Sequence, residues 1–177
     1  MGRESTMTDM AEEATKDLKA WTVHMKRGHA KTIMDKILAT IPSSEVQVLV
    51  ARSDAIFGFD HLRSALYHAR RAMEDGTNSS DSLAMETLLY ASGERQLGTA
   101  IKKMSVDSQT EELVVAQLAG HPIEPEEDWR KLDVATGLAA GRLLRFGLTE
   151  TELATIGNRS PLELVLEKIA AVDILKK

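Results

Sequence analysis

Residues 18–52 read LKAWTVHMKRGHAKTIMDKILATIPSSEVQVLVAR, and three periodicities follow one another along them. Trp21, Val23 and Met25 alternate with Thr22, His24 and Lys26, a period of two that predicts a half-buried strand over Leu18–Lys26. Ala30, Ile33, Met34, Ile37, Leu38 and Ile41 then recur at helical spacing, and Pro42 stands just past the end of that stripe. Val46–Ala51 (VQVLVA) is short, apolar and β-branched, as expected of a strand with much of both faces covered. Strand, helix and strand in this order can form a crossover unit, although the order of strands in the sheet is not readable from it.

Outward from that unit, helical stripes dominate. Phe59, Leu62, Leu66, Ala69 and Met73 line one helix, and Gly76 and Asn78 end it in a polar loop. Ser82 can cap a further helix in which Met85, Leu88 and Leu89 face inward. Gly93 interrupts, and Leu97, Ala100, Ile101 and Met104 resume the pattern. Leu113–Leu118 (LVVAQL) predicts a third strand, and Gly120–Asp128, with two prolines and four acids, an exposed loop. Residues 129–146 favour helix by composition, with Gly137 and Gly141 against it. Thr149 and Glu152 form a capping box, with Leu148 and Leu153 placed for a hydrophobic staple. Ser160, Pro161 and Glu163 open a last helix that buries Leu162, Val165, Leu166, Ile169 and Val172. The expected fold class is α+β, a small mostly antiparallel or mixed sheet of three to four strands packed with six to eight helices. Residues 1–17 hold five acids and no hydrophobic period, so they are expected to be a disordered acidic tail before a single domain over 18–177.

Composition narrows the function classes. The 177 residues include no cysteine, which excludes disulfides, thiolate nucleophiles and thiolate zinc sites. No apolar run approaches a bilayer span, and the polar start is unlike a secretory signal, so a cytoplasmic protein without membrane contact is expected. The net charge of −5 argues against a general nucleic-acid coat, yet it does not exclude a local basic face.

No catalytic set stands out. Gly93-Glu-Arg-Gln-Leu-Gly98-Thr99 has the glycine spacing of a phosphate-binding loop but lacks its lysine. His61 and His68 share a helix face two turns apart, too far for a local metal pair, and read as polar-face residues beside Ser64 and Arg71. Ser92 precedes a glycine at a helix end, which is not a nucleophile elbow. Glu86, in an apolar stretch, is either a solvated residue or an anchor hydrogen-bonded to a loop. The last two helices resemble a helix-turn-helix only in outline, because the second carries Glu163, Glu167 and Asp173 against Lys168. Basic residues do cluster in 18–36 and again in Arg63, Arg70, Arg71, Arg95, Lys102 and Lys103. Solvated helix faces explain them, as does a surface for acidic partners or single-stranded RNA.

Residues 56–104 carry a resemblance. Ile56-Phe57-Gly58, His68-Ala69-Arg70-Arg71-Ala72, Asn78-Ser79 and Glu86-Thr-Leu-Leu-Tyr-Ala-Ser-Gly-Glu-Arg95-Gln96 are similar to the TPRKB family, the small kinase-binding subunit of the KEOPS (EKC) complex. Phe146-Gly147-Leu148-Thr149-Glu150 and Val165–Ala170 resemble its last two helices, and the sequence looks more like the archaeal members than the animal ones. The resemblance implies a non-catalytic subunit, without cofactor or metal, in the machinery that installs threonylcarbamoyladenosine on tRNA. Its partners would be the atypical kinase subunit, the tRNA 3′ CCA end and, indirectly, the threonylcarbamoyl transferase subunit. On that footing Arg70, Arg71, Asn78, Arg95, Lys102 and Lys103 are the expected RNA-binding residues. Phe57, Leu162, Val165 and Ile169 are the expected kinase interface. A purely structural kinase-binding subunit without RNA contact is the alternative within the family, and a small-molecule enzyme the alternative outside it.

Overall fold

The computed structural model describes residues 6–42 and 46–176. Among them, strands β1 (Lys19–His24), β2 (Val46–Arg52), β3 (Glu112–Gly120) and β4 (Arg130–Lys131) form one sheet in the order β2-β3-β1-β4. Every neighbouring pair is antiparallel, and Val115 of β3 sits between Trp21 of β1 and Val50 of β2. β1 and β2 therefore run parallel to each other with β3 inserted between them. Helix α2 (Ala30–Thr40) is the crossover that joins them, as strand, helix and strand in residues 18–52 suggest.

β3 explains why its sequence is apolar without alternation. Val114, Ala116 and Leu118 face the main core, while Leu113 and Val115 face a smaller one shared with Val23, Ala30 and Ile37 of β1 and α2. A strand covered on both sides has no polar face to show. β1 shows the half-buried pattern its period predicts: Val23 and Met25 pack into the smaller core while His24 and Lys26 are exposed, and Ala20 at the strand's start joins the main core.

The main core lies between the sheet and α3 (Phe59–Glu74), α4 (Leu83–Ser92), α5 (Leu97–Met104) and α8 (Pro161–Leu175). Leu62, Leu66 and Ala69 of α3, Leu89 and Tyr90 of α4, Met104 of α5 and Val165 and Ile169 of α8 are fully inaccessible. Each large side chain so buried contributes about 1.5–3 kcal/mol relative to exposure. The caps read from sequence are present. Ser82 accepts the Met85 N–H, Thr149 and Glu152 close their capping box, and Ser160 accepts the Leu162 N–H with Pro161 in the first turn. Glu163 is the exception, pairing with Arg159 at 3.9 Å rather than reaching back to the cap.

Three expectations are corrected. Residues 7–14 form helix α1 (Met7–Ala14), opened by a Thr6–Asp9 capping box, where the acidic composition suggested disorder. Thr15 and Leu18 are buried just after it, which ties the segment down; residues 1–5 lie outside the described residues. The 129–146 region splits into β4, an extended segment, and helix α6 (Ala140–Phe146), with α7 (Glu150–Thr155) following. His61, expected on a polar face, is fully buried. No helix among the described residues is long and apolar enough to cross a membrane.

Candidate functional site

The Ile56-Phe57-Gly58 turn is a backbone junction. Gly58 has φ 114°, and a Cβ there would lie 2.4 Å from the Val134 carbonyl oxygen. The segment after β4 runs against it. Asp133 and Val134 accept the N–H groups of Phe59 and Asp60 at 2.7 and 3.1 Å, and Phe57 accepts that of Thr136 at 3.1 Å. Arg142 of α6 clamps the same turn, donating to the carbonyls of Ser53, Asp54 and Ile56 at 2.6–3.1 Å, with its guanidinium over the Phe57 ring. His61 locks the turn from the other side. Its Nδ1 accepts the Phe57 N–H at 2.9 Å, so its Nε2–H donates to the Ala91 carbonyl at 2.8 Å. Burial holds this imidazole down at about 4, and the site requires the neutral ring.

The Glu-x-Leu-Leu-Tyr segment places its polar residues on α4 facing α3 and α8. Glu86 is fully buried and accepts the N–H groups of Ser79 and Ser80 at 2.9 and 3.0 Å; its other oxygen pairs with Lys176 beyond the end of α8. It is thus the loop anchor, the second of the two readings its sequence context allows. Tyr90 donates its hydroxyl to Asp173, which also meets His68 Nδ1 at 2.8 Å. Burial, with the Asp173 carboxylate second, pushes the Tyr90 phenol far up, so it stays a donor. An open cavity of about 360 Å³ beside this network is lined by Arg71, Asp75, Thr77, Tyr90, Asp173 and Lys176. Among the described residues no three His, Asp or Glu side chains are grouped to hold a metal ion.

The six basic and polar residues expected to bind RNA do not converge. Arg71 and Arg95 are exposed, as is Lys102. Arg71 lines the 360 Å³ cavity, whereas Lys102 lines another, of about 250 Å³, with Arg52 and Arg145. About 15 Å of helical rise separates Arg71 from His61, at the end of α3 that meets the last residues of α4. Arg70 donates to the Leu118 carbonyl at 3.1 Å, and its Nε is buried with no partner among the described residues. Asn78 turns its amide onto its own loop, donating to the Ser80 carbonyl at 3.1 Å. Lys103 is a structural tie. It donates to the carbonyls of Ser92 and Phe146, pairs with Glu94 at 3.0 Å, and has its pKa lowered by burial. Lys103 is thereby removed from the RNA-facing set in this conformation, and Arg70 offers only its partly covered edge.

The expected kinase-facing residues are also corrected. Phe57, Val165 and Ile169 have no accessible surface and Leu162 has 9%, so they build the core instead of meeting a partner. Their helical spacing is that of an inward face, and the burial shows which way it points. The apolar side chains left in water on the C-terminal helix are Ile174, 74% exposed, and Leu175, 49% exposed. Sequence reasoning missed Arg142, Asp173 and Lys176. Their partners lie 83 to 105 positions away and leave no local signal.

A family model described as "Kinase binding protein CGI-121" matches residues 28–153. The chain belongs to this family. The CGI-121 match includes the Ile-Phe-Gly junction, all of α3 to α5 and the Glu86–Tyr90 segment, the part of the fold on which the TPRKB resemblance rests. Helix α1, strand β1 and helix α8 lie outside the CGI-121 match, although β1 and α8 complete its core. A comparison with curated proteins returned no match.

Proposed function

We propose that this CGI-121 family member is a non-catalytic subunit of a KEOPS-type complex for tRNA threonylcarbamoyladenosine modification. In that role it docks on the atypical kinase and holds the 3′ CCA end of the tRNA. The observation that carries this reading is membership of a kinase-binding family over residues 28–153. The internal hydrogen bonding of three buried polar residues fits it, because Glu86, Tyr90 and His61 are committed to holding the fold.

The kinase contact runs through exposed apolar residues, for which Ile174 and Leu175 at the end of α8 are the candidates. Such a contact needs an apolar anchor and a polar rim. The tRNA contact uses Arg71, Arg95 and Lys102, the exposed members of the basic set, as phosphate neutralisers. Asn78 and the Ser79–Ser80 loop beside Arg71 offer hydrogen-bonding groups to base or ribose edges of a single-stranded end.

The test is a titration of tRNA with and without its CCA end, in parallel with a pull-down of the kinase. Arg71→Glu with Lys102→Glu is expected to weaken tRNA binding while retaining the kinase; Ile174→Asp is expected to do the reverse. Equal affinity for both tRNAs removes the 3′-end contact, and binding of neither leaves a purely structural kinase-binding subunit.

A further inference from the structure

Helix α1 packs on α3 and carries Asp9, Glu12 and Glu13 with no basic residue. The face of α3 it meets carries Tyr67, Arg70 and Arg71, with the Arg71 guanidinium 5.8 Å from the Tyr67 ring centre. A gap of about 330 Å³ lies between the two helices, bordered by Asp9 and Glu13 on one side and by Tyr67, Arg70, Arg71 and the single acid Glu74 on the other. We propose that α1 is a displaceable acidic cover over a phosphate-binding face formed by Tyr67, Arg70 and Arg71, and that single-stranded RNA competes with it there. The proposal rests on the RNA contact of the proposed function and adds a site and a means of controlling it.

Three observations support displacement. No ion pair joins α1 to α3 among the described residues; the segment's own pair is Glu13 with Lys16. The opposite charges thus face each other without being locked together, and Met10 is left 54% exposed. An isolated helix of eight residues is too short to persist in water, so once lifted α1 unfolds and leaves the face open. Arg70, which borders the gap, keeps one buried guanidinium nitrogen without an acceptor among the described residues, a donor that a phosphate oxygen would satisfy. The face offers what a single strand needs, two positive charges and an aromatic ring for stacking.

The test keeps the full chain. Ala11→Pro breaks α1 at its centre without changing charge. Met10→Cys with Glu74→Cys places the chain's only two thiols on opposite sides of the gap, where a flexible bismaleimide can tie the cover shut. Affinity for an oligouridylate of about 15 nucleotides is read by fluorescence anisotropy at low salt, and phenylglyoxal modification of Arg70 and Arg71 by mass spectrometry. Ala11→Pro is expected to tighten RNA binding about fivefold and to raise modification of Arg70; the tied form is expected to bind about fivefold more weakly than the same variant untied. Adding Arg70→Gln and Arg71→Gln to Ala11→Pro removes the gain. If the chain binds RNA but neither variant changes its affinity, the cover is overturned and the RNA contact of the proposed function stands. If no form binds RNA, both fall together, while the kinase contact is judged by its own pull-down.

Discussion

At the residue scale, His61 and Gly58 hold the junction around which the matched region is organised. His61 has its Nδ1 occupied by the Phe57 N–H, so protonation would set two donors against each other in a site without water-facing surface. Its pKa falls to about 4 on folding, from an ordinary 6.5. Between those values the unfolded chain binds a proton that the folded one does not, so stability declines as pH falls through that window and is fully present above it. The expected loss is about 3 kcal/mol by pH 4, read by urea denaturation across pH. His61→Gln is expected to be less stable at pH 7 and to flatten that dependence. At Gly58 the positive φ and the 2.4 Å approach to the Val134 carbonyl act together. Gly58→Ala is expected to cost about 3 kcal/mol or more and to lower the thermal midpoint accordingly. The glycine is visible in the sequence, but its reason is not, since the segment that crowds it lies 76 positions away.

At the element scale, the amphipathic stripes and caps were the readable part. α3, α5, α7 and α8 begin and end close to where Phe59–Met73, Leu97–Met104, Thr149–Glu152 and Ser160–Pro161 indicate. β4 was not readable, because two exposed basic residues carry no period, and its place is set by pairing with β1. α1 was hidden for a different reason. Its acidic composition resembles a solvated tail, and a local Thr6–Asp9 box does not by itself hold an eight-residue helix, which persists by packing on α3. The link between α4 and α8 was equally invisible, since it depends on Glu86 meeting Lys176 across the fold. With that pair 0% and 8% exposed, removing one charge strands the other in the interior. Lys176→Met is therefore expected to destabilise by about 3 kcal/mol and to speed amide exchange at Ser79 and Ser80, whose N–H groups Glu86 holds. Unchanged exchange there would mean that α8 and the loop are not coupled.

At the scale of the whole molecule, a net charge of −5 is distributed so that acids gather in the N-terminal segment and the Gly120–Asp128 loop, while exposed bases are spread over β1, α2 and β4 as well as α3, α5 and the turn between α4 and α5. Long-range steering of RNA is therefore weak, and any affinity must come from local contacts. If Arg71, Arg95 and Lys102 each neutralise one phosphate of a single strand, log affinity against log salt has a slope of about −2, and Lys102→Glu makes it shallower by about 0.7. A slope near zero would remove phosphate contacts from the account. The candidate surface was legible only in part. The basic residues are countable in the sequence, but burial decides which of them reach solvent, and it takes Lys103 and most of Arg70 away. It also takes Phe57, Val165 and Ile169 from the partner surface, because apolar periodicity marks a buried face without saying what buries it.

Kinase binding is measured by calorimetric titration of the chain into the atypical kinase subunit of a KEOPS complex. A one-to-one complex with Kd below about 1 µM is expected, weakened at least about tenfold by Ile174→Asp. No heat and no co-elution at concentrations of about 10 µM would contradict it.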